Sequence, residues 1–131
     1  PADPASKYGG IFFYGIHTIE RLFKMAGDDC TAVRCSRNGK RTSFEFKFAS
    51  GLLATYVLAQ KWEQHSVTGE GLKTITPSFE SKDSDYMYAA IVKMFQTGEE
   101  PRSHASILKQ VSVLEAMERS VSSEDWETLL V

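Results

Sequence analysis

The stretch "TSFEFKF" limits the possible folds more than any other part of the chain, because apolar and polar residues alternate along it without a break. The phenylalanines at 44, 46 and 48 fall on one face, and the polar residues between them fall on the other. This is the pattern of a β-strand with one buried face. The Asn38-Gly39 pair just before it is typical of a two-residue hairpin turn. The segment Thr31–Ser36 is therefore predicted to be the preceding strand of the same hairpin.

The segments on either side of this hairpin complete a mixed pattern. "LLATYVLAQ" reads as the next antiparallel strand, and "WEQHSVTGEGLKTITP" as two further short strands. A helical period of apolar residues runs from Ile16 to Ala26 and ends at Gly27. It returns in a segment with the stripe Tyr88, Ile91, Val92 and Phe95. It returns again after Ser103, a predicted N-cap, with the stripe Ile107, Val111, Leu114, Met117 and Val121. The order predicts an α+β fold: an open, mostly antiparallel sheet of about five or six strands with helices packed on one face.

Composition excludes several classes of protein. The 131 residues carry 15 basic and 17 acidic side chains, a net charge of -2, which does not suggest binding to nucleic acid. No apolar run approaches the roughly 20 residues of a membrane span, and no secretory signal pattern opens the chain. We therefore expect a cytoplasmic protein with no nucleic-acid or membrane partner. Residues 1–8 are predicted to be a linker or disordered terminus, and 9–131 to form one domain.

Metal, cofactor and thiol chemistry have little support in the sequence. Cys30 and Cys35 are five residues apart, which places them on opposite faces of a regular strand. This predicts buried or half-buried free thiols in a reducing cytoplasm. His65 is expected at the surface of a strand and His104 in a solvated first helical turn. No histidine has the spacing of a zinc site, and no complete G-x-G-x-x-G motif is present. We predict no metal site and no cofactor-binding residues in this chain.

His17 is the candidate catalytic residue. It lies off the apolar stripe of the first helix, in its N-terminal turn. The positive end of the helix dipole favours neutral imidazole, which is the form that a general base requires. The other interpretation is that His17 only belongs to a helix start.

Two segments resemble one enzyme family. "GGIFFYGIHTIERLFKMAG" has a Gly-Gly, an apolar run, "GIH", an acidic residue three positions later and a closing Gly. "YMYAAIVKMFQTGEEPRSHASILKQVSVLEAMERS" has an aromatic start, an apolar helix, "F-x-TG-x-x-P" and a helix ending in Glu-Ala and Ser. Both are similar to the C-terminal domain of the glucose–fructose oxidoreductase/inositol dehydrogenase (Gfo/Idh/MocA) family. The residues that carry the second match are Phe95, Thr97, Gly98, Pro101, Glu115, Ala116 and Ser120.

The resemblance implies the substrate-binding and oligomerisation domain of an oxidoreductase that acts on a sugar or polyol. The N-terminal Rossmann domain of the same polypeptide, absent from this chain, would bind NAD or NADP, so this chain alone is expected to bind no cofactor and to be inactive. The family's active-site histidine corresponds to His17, and the adjacent Tyr14 is a candidate substrate-binding residue. Many members have an Asp four residues before that histidine, where this chain has Phe13.

A second hypothesis belongs to a different functional class. "LLATYVLAQ" is apolar on both faces, through Leu53 and Val57 on the side turned away from the predicted core. A strand of this kind needs cover on both sides. The alternative is a non-catalytic interaction module that self-associates through the exposed face of its sheet. Both hypotheses predict a homo-oligomer formed through the sheet.

Overall fold

The computed structural model of the chain describes residues 3–39, 41–59, 62–71, 73–76 and 83–130. Within these residues lie a first helix, a four-strand meander, two further helices and a short final strand. Their bounds are α1 Phe12–Ala26, β1 Cys30–Asn38, β2 Arg41–Phe48, β3 Leu53–Ala59, β4 Trp62–Thr68, α2 Asp83–Thr97, α3 His104–Ser123 and β5 Trp126–Thr128.

The five strands form one antiparallel sheet in the order β4-β3-β2-β1-β5. The predicted hairpin joins β1 to β2, but its turn begins one residue later than the predicted Asn38-Gly39 pair. Asn38 is still part of β1 and pairs with Arg41, and Gly39 begins the turn with a positive φ of 60°. The sequence predicted two short strands after β3. The structure has one strand there, β4, and a single bridge between Val67 and Ile75 in place of the second. The predicted end at Pro77 lies outside the described residues. The α+β prediction with an open antiparallel sheet is confirmed.

One face of the sheet forms the core, and α1 and α3 pack against it. The alternation in β2 works as predicted, since Phe44, Phe46 and Phe48 are all buried in this layer. Ile19 and Leu22 of α1 and Met117 of α3 are also buried there. Each such side chain contributes about 1.5–3 kcal/mol to folding by leaving water.

A β-bulge in β1 explains where the two cysteines lie. The register shifts between Cys30 and Ala32, so Thr31 is an extra residue with no partner of its own on β2. The extra residue reverses the alternation between the two cysteines. Cys30 and Cys35 therefore point to the same, core face, and the expectation of opposite faces was wrong. The prediction of buried free thiols is confirmed for both.

The two later helices differ in how they pack. Ser103 is the N-cap of α3 as predicted, and its hydroxyl accepts a hydrogen bond from the Ser106 backbone N–H at 3.2 Å. Only the second half of the predicted α3 stripe reaches the core. Leu114 and Met117 are buried there, whereas Ile107 in the first half is exposed. None of the described side chains of α2 belongs to the buried core. Its predicted apolar stripe lies on the surface instead: Tyr88, Ile91, Val92 and Phe95.

Candidate functional site

A break in the backbone of α1 shapes the candidate site. Phe13 and Tyr14 leave the helical conformation: Phe13 has ψ 110°, and Tyr14 has φ 70° and ψ −9°. A left-handed backbone is uncommon for a tyrosine and costs about 1–2 kcal/mol. The regular part of α1 starts at Gly15, so His17 lies in its first turn, as expected from the sequence.

Gly15 holds this end of α1 close to α3. A Cβ atom on Gly15 would lie 2.6 Å from Cδ2 of Leu114, closer than two carbon atoms can approach without contact strain. Gly15 and Leu114 are both buried. The absence of a side chain at position 15 therefore lets the turn that carries His17 rest directly on α3.

Four rings form a continuous row at this end of the helix. The ring centroids of Tyr8 and Phe13 are 5.1 Å apart, those of Phe13 and Tyr14 are 4.6 Å apart, and those of Tyr14 and His17 are 6.0 Å apart. All four residues are exposed, Tyr14 by 55%. We refer to Tyr8, Phe13, Tyr14 and His17 as the aromatic row.

The aromatic row combines apolar faces with polar atoms. The Tyr14 hydroxyl and the His17 imidazole can donate and accept hydrogen bonds, while the Phe13 ring offers only an apolar surface. The two candidate residues proposed from the sequence, Tyr14 and His17, therefore lie side by side in this row. Phe13 has no proton to exchange, and of the groups in the row the imidazole of His17 is the kind most often used for general acid or base chemistry.

A second polar cluster lies between α1 and the sheet, and sequence reasoning missed it. Arg21, one turn after His17 on α1, forms an ion pair with Glu63 on β4. The other carboxylate oxygen of Glu63 accepts a hydrogen bond of 2.9 Å from the hydroxyl of Tyr56 on β3. The Tyr56 ring packs on the imidazole of His65, with centroids 4.8 Å apart. We refer to these four residues as the partly buried polar cluster, since Tyr56 and His65 are buried and Arg21 and Glu63 are in part exposed.

His65 was expected at the surface, but only 3% of it is exposed. The register of the sheet explains the difference, because His65 pairs with Tyr56, which belongs to the core face. The same alternation turns Glu63 toward α1. The signal in the sequence was the i, i+2 spacing of Glu63, His65 and Val67, which puts all three on the face that carries Tyr56.

Burial changes the protonation of this cluster. Burial lowers the pKa of His65 to about 4; the nearby Glu63 charge opposes this shift and the Arg21 charge adds to it. Burial by itself would raise the pKa of Glu63. The hydrogen bond from Tyr56 and the ion pair with Arg21 outweigh it and hold that pKa below its usual value. At neutral pH the cluster therefore contains a neutral His65 beside an ionised Glu63.

The remaining candidates for chemistry are not assembled into sites. Burial raises the pKa of both Cys30 and Cys35 to about 11, which keeps the thiols protonated and poorly nucleophilic. His104 is exposed at the start of α3 as expected, with Nε2 2.9 Å from Oε1 of Glu100. In the part of the chain that the structure describes, no three His, Cys, Asp or Glu side chains come together as a metal site.

Comparison with known proteins adds no relative. Neither a scan against models of protein families nor a search of curated proteins returned a match for this chain. Among the helices of the described residues, none has both the length and the apolar content needed to cross a bilayer. Fold and site together define an α+β domain that displays an aromatic row and a histidine at the start of one helix.

Proposed function

We propose that this chain is the substrate-binding and oligomerisation domain of an NAD(P)-dependent oxidoreductase of the Gfo/Idh/MocA type, acting on a sugar or polyol. The observation that carries the proposal is the aromatic row ending in His17, at the helix start where the sequence resembles that family. Sugars present apolar C–H faces between hydroxyl groups. Exposed aromatic rings beside hydrogen-bonding groups complement both features of such a ligand.

Each residue of the row has a role in this proposal. The Phe13 and Tyr8 rings pack against the carbon face of the substrate, and the Tyr14 hydroxyl hydrogen-bonds one of its hydroxyl groups. His17 accepts the proton of the hydroxyl that is oxidised. A nicotinamide bound by a preceding Rossmann domain would accept the hydride from the same carbon. Since Phe13 occupies the position of the family's Asp, His17 acts here without that carboxylate.

Binding to the isolated chain tests the proposal directly. Titration with a panel of sugars and polyols, followed by NMR of the backbone amides, should shift the signals around Tyr14 and His17. The variants Tyr14→Ala and His17→Ala should each weaken this binding about 10-fold or more, the loss expected for a hydrogen bond to a polar ligand. His104→Ala is the matched control, because His104 is an exposed histidine at the start of another helix. If no ligand of the panel shifts the amide signals of the aromatic row, or if His104→Ala weakens binding equally, the proposed site is wrong.

The proposal also predicts that the chain by itself has no dehydrogenase activity. Reduction of NAD or NADP by these 131 residues with any sugar of the panel, followed at 340 nm, would contradict it. Substituting Phe13→Asp in a chain that carries both domains should raise the turnover number. The reason is that a carboxylate beside His17 would share the proton it accepts.

A second function is favoured by the outer face of the sheet. Leu53 on β3 is 37% exposed and Val57 is half-buried, while α1 and α3 pack on the opposite face. We propose that this surface self-associates, which is compatible with the first function. Light scattering on Val57→Lys should then show a smaller assembly than the unchanged chain. A strict monomer at high concentration in both would contradict this second proposal.

A further inference from the structure

Two apolar strips on the second half of the chain are uncovered, and they are distinct from the sheet face. The first strip lies on α2 and consists of Tyr88, Ile91, Val92 and Phe95, which recur every three or four residues along one side of the helix. Phe95 is 79% exposed. An amphipathic helix of this length is only marginally stable in water unless its apolar side is covered.

The α2 strip faces away from its own chain. Ala89, Ala90 and Lys93 of α2 line a cleft whose other wall is formed by Glu99, Glu100 and Pro101. Successive residues of a helix are rotated by about 100°. The cleft residues are therefore centred on the side of α2 roughly opposite the centre of the strip, although Ala89 itself lies only about 60° from Val92. The segment that follows α2 packs near this alanine-rich side and leaves the apolar strip open.

The second strip lies on the first half of α3. Ile107, Leu108 and Val111 are exposed there, although they form part of an otherwise packed helix. They are rotated by roughly a quarter turn or more from the side of α3 that Val113 and Met117 bury in the core. This second strip is shorter than that of α2 and presents only aliphatic side chains.

The two strips together have the area of a dimer interface. Their seven side chains expose on the order of 600 Å² of apolar surface, counting an aromatic side chain as about 200 Å² and an aliphatic one as about two thirds of that. A standard interface buries about 800 Å² per partner, of which about 60% is apolar. The strips thus supply the apolar area that one partner of a stable dimer requires.

We propose that a second copy of this chain covers both strips, with α2 of each copy packed on the first half of α3 of the other. The arrangement is self-complementary, because each copy contributes one aromatic-rich strip and one aliphatic strip. A two-fold axis then closes the assembly at two copies. Phe95, the most exposed of the aromatic side chains that the structure describes, is the expected centre of the contact.

Analytical ultracentrifugation of the 131-residue chain over a concentration series tests the dimer. The substitution Phe95→Glu should raise the dimer dissociation constant at least about 30-fold, as expected for an interface hot spot. Near-UV circular dichroism should keep the signal of the folded core, since Phe95 is not one of the core residues. Ile75→Glu, at an exposed apolar position outside both strips, is the matched control and should leave the dimer unchanged. A loss of dimer with Val57→Lys but not with Phe95→Glu would assign self-association to the sheet and overturn the proposal.

Crosslinking tests which strips meet. Chains carrying Val92→Cys and chains carrying Val111→Cys, when mixed and oxidised, should form a disulfide-linked heterodimer. A mixture of Val92→Cys with Val57→Cys should not. The native Cys30 and Cys35 do not interfere, because both are buried. A third chain carries both Val92→Cys and Val111→Cys. If it forms an internal disulfide as a monomer at all concentrations, α2 packs on its own α3 and the proposed dimer is wrong. A chain that stays monomeric throughout the series overturns it as well.

Discussion

Acid should destabilise this domain through His65, in a pH range where few other groups titrate. The pKa of His65 is about 4 in the folded protein and 6.5 in its ordinary state, a difference of about 2.5 units. Because the folded pKa is the lower one, the unfolded chain binds more protons between pH 6.5 and 4. The stabilisation is therefore fully present above pH 6.5 and is lost as the pH falls toward 4.

The size of the effect follows from the same two pKa values. At about 1.4 kcal/mol per unit, the full loss is about 3 kcal/mol, and about 2 kcal/mol is already lost at pH 5. The charged groups around His65 are Glu63 on its own strand and Arg21 on α1, with the Tyr56 ring packed against it from β3. Glu63 has a lowered pKa, so its contribution is lost only at more acidic pH. Between pH 7.5 and 5 the dependence of stability on pH should thus come mainly from His65.

Urea unfolding measured at intervals from pH 7.5 to 5 checks this reasoning. The unchanged chain should lose about 2 kcal/mol of unfolding free energy over the range, with a constant dependence on urea. His65→Phe replaces the imidazole by a ring that does not titrate and that can still pack on Tyr56, so most of the loss should disappear. His104→Phe, at an exposed position, should keep the full pH dependence. If His65→Phe and the unchanged chain lose stability in parallel, the buried imidazole is not the cause.

Three further substitutions test the packing and the site. Phe46→Ala, at a fully buried position in β2, should cost about 3–5 kcal/mol in urea unfolding, since it leaves a cavity in the core. Gly15→Ala should cost about 1–2 kcal/mol because its Cβ would meet Leu114, and the cost should shrink when Leu114→Ala is present in a double-mutant cycle. Tyr14→Gly should keep or raise the unfolding free energy by up to about 1 kcal/mol, because glycine accepts the left-handed backbone. The same variant should lose sugar binding in the NMR titration, whereas equal binding would exclude Tyr14 from the site.

The parts of the fold that could be predicted are those in which one periodicity persists over several residues. The alternation in β2 and the Asn-Gly turn before it were sufficient to place the centre of the sheet and its buried face. The stripe of α1 from Ile16 to Ala26 was equally regular. It ends as predicted at Gly27, whose N–H bonds back to the carbonyl of Phe23. In these segments local preference and burial favour the same structure.

The features that were missed depend on a single residue or on distant partners. One extra residue at Thr31 reversed the side on which Cys30 lies, and nothing in the local sequence indicates a bulge there. The final strand, β5, has only three residues, too few to show an alternation, and it exists because β1 offers it an edge. The break at Tyr14 interrupts a run of apolar residues that is compatible with an unbroken helix.

The partly buried polar cluster and the proposed site share one helix, α1, which carries both Arg21 and His17. His17 and Arg21 are four residues apart and so lie on the same side of the helix, about one turn from each other. Arg21 is tied to Glu63 on β4, and Gly15 rests on Leu114 of α3, so the turn that carries His17 is held from both sides. Protonation of His65 places a positive charge beside Arg21 and weakens the first of these two attachments. We therefore expect protonation of this core histidine to loosen the turn of α1 that carries His17.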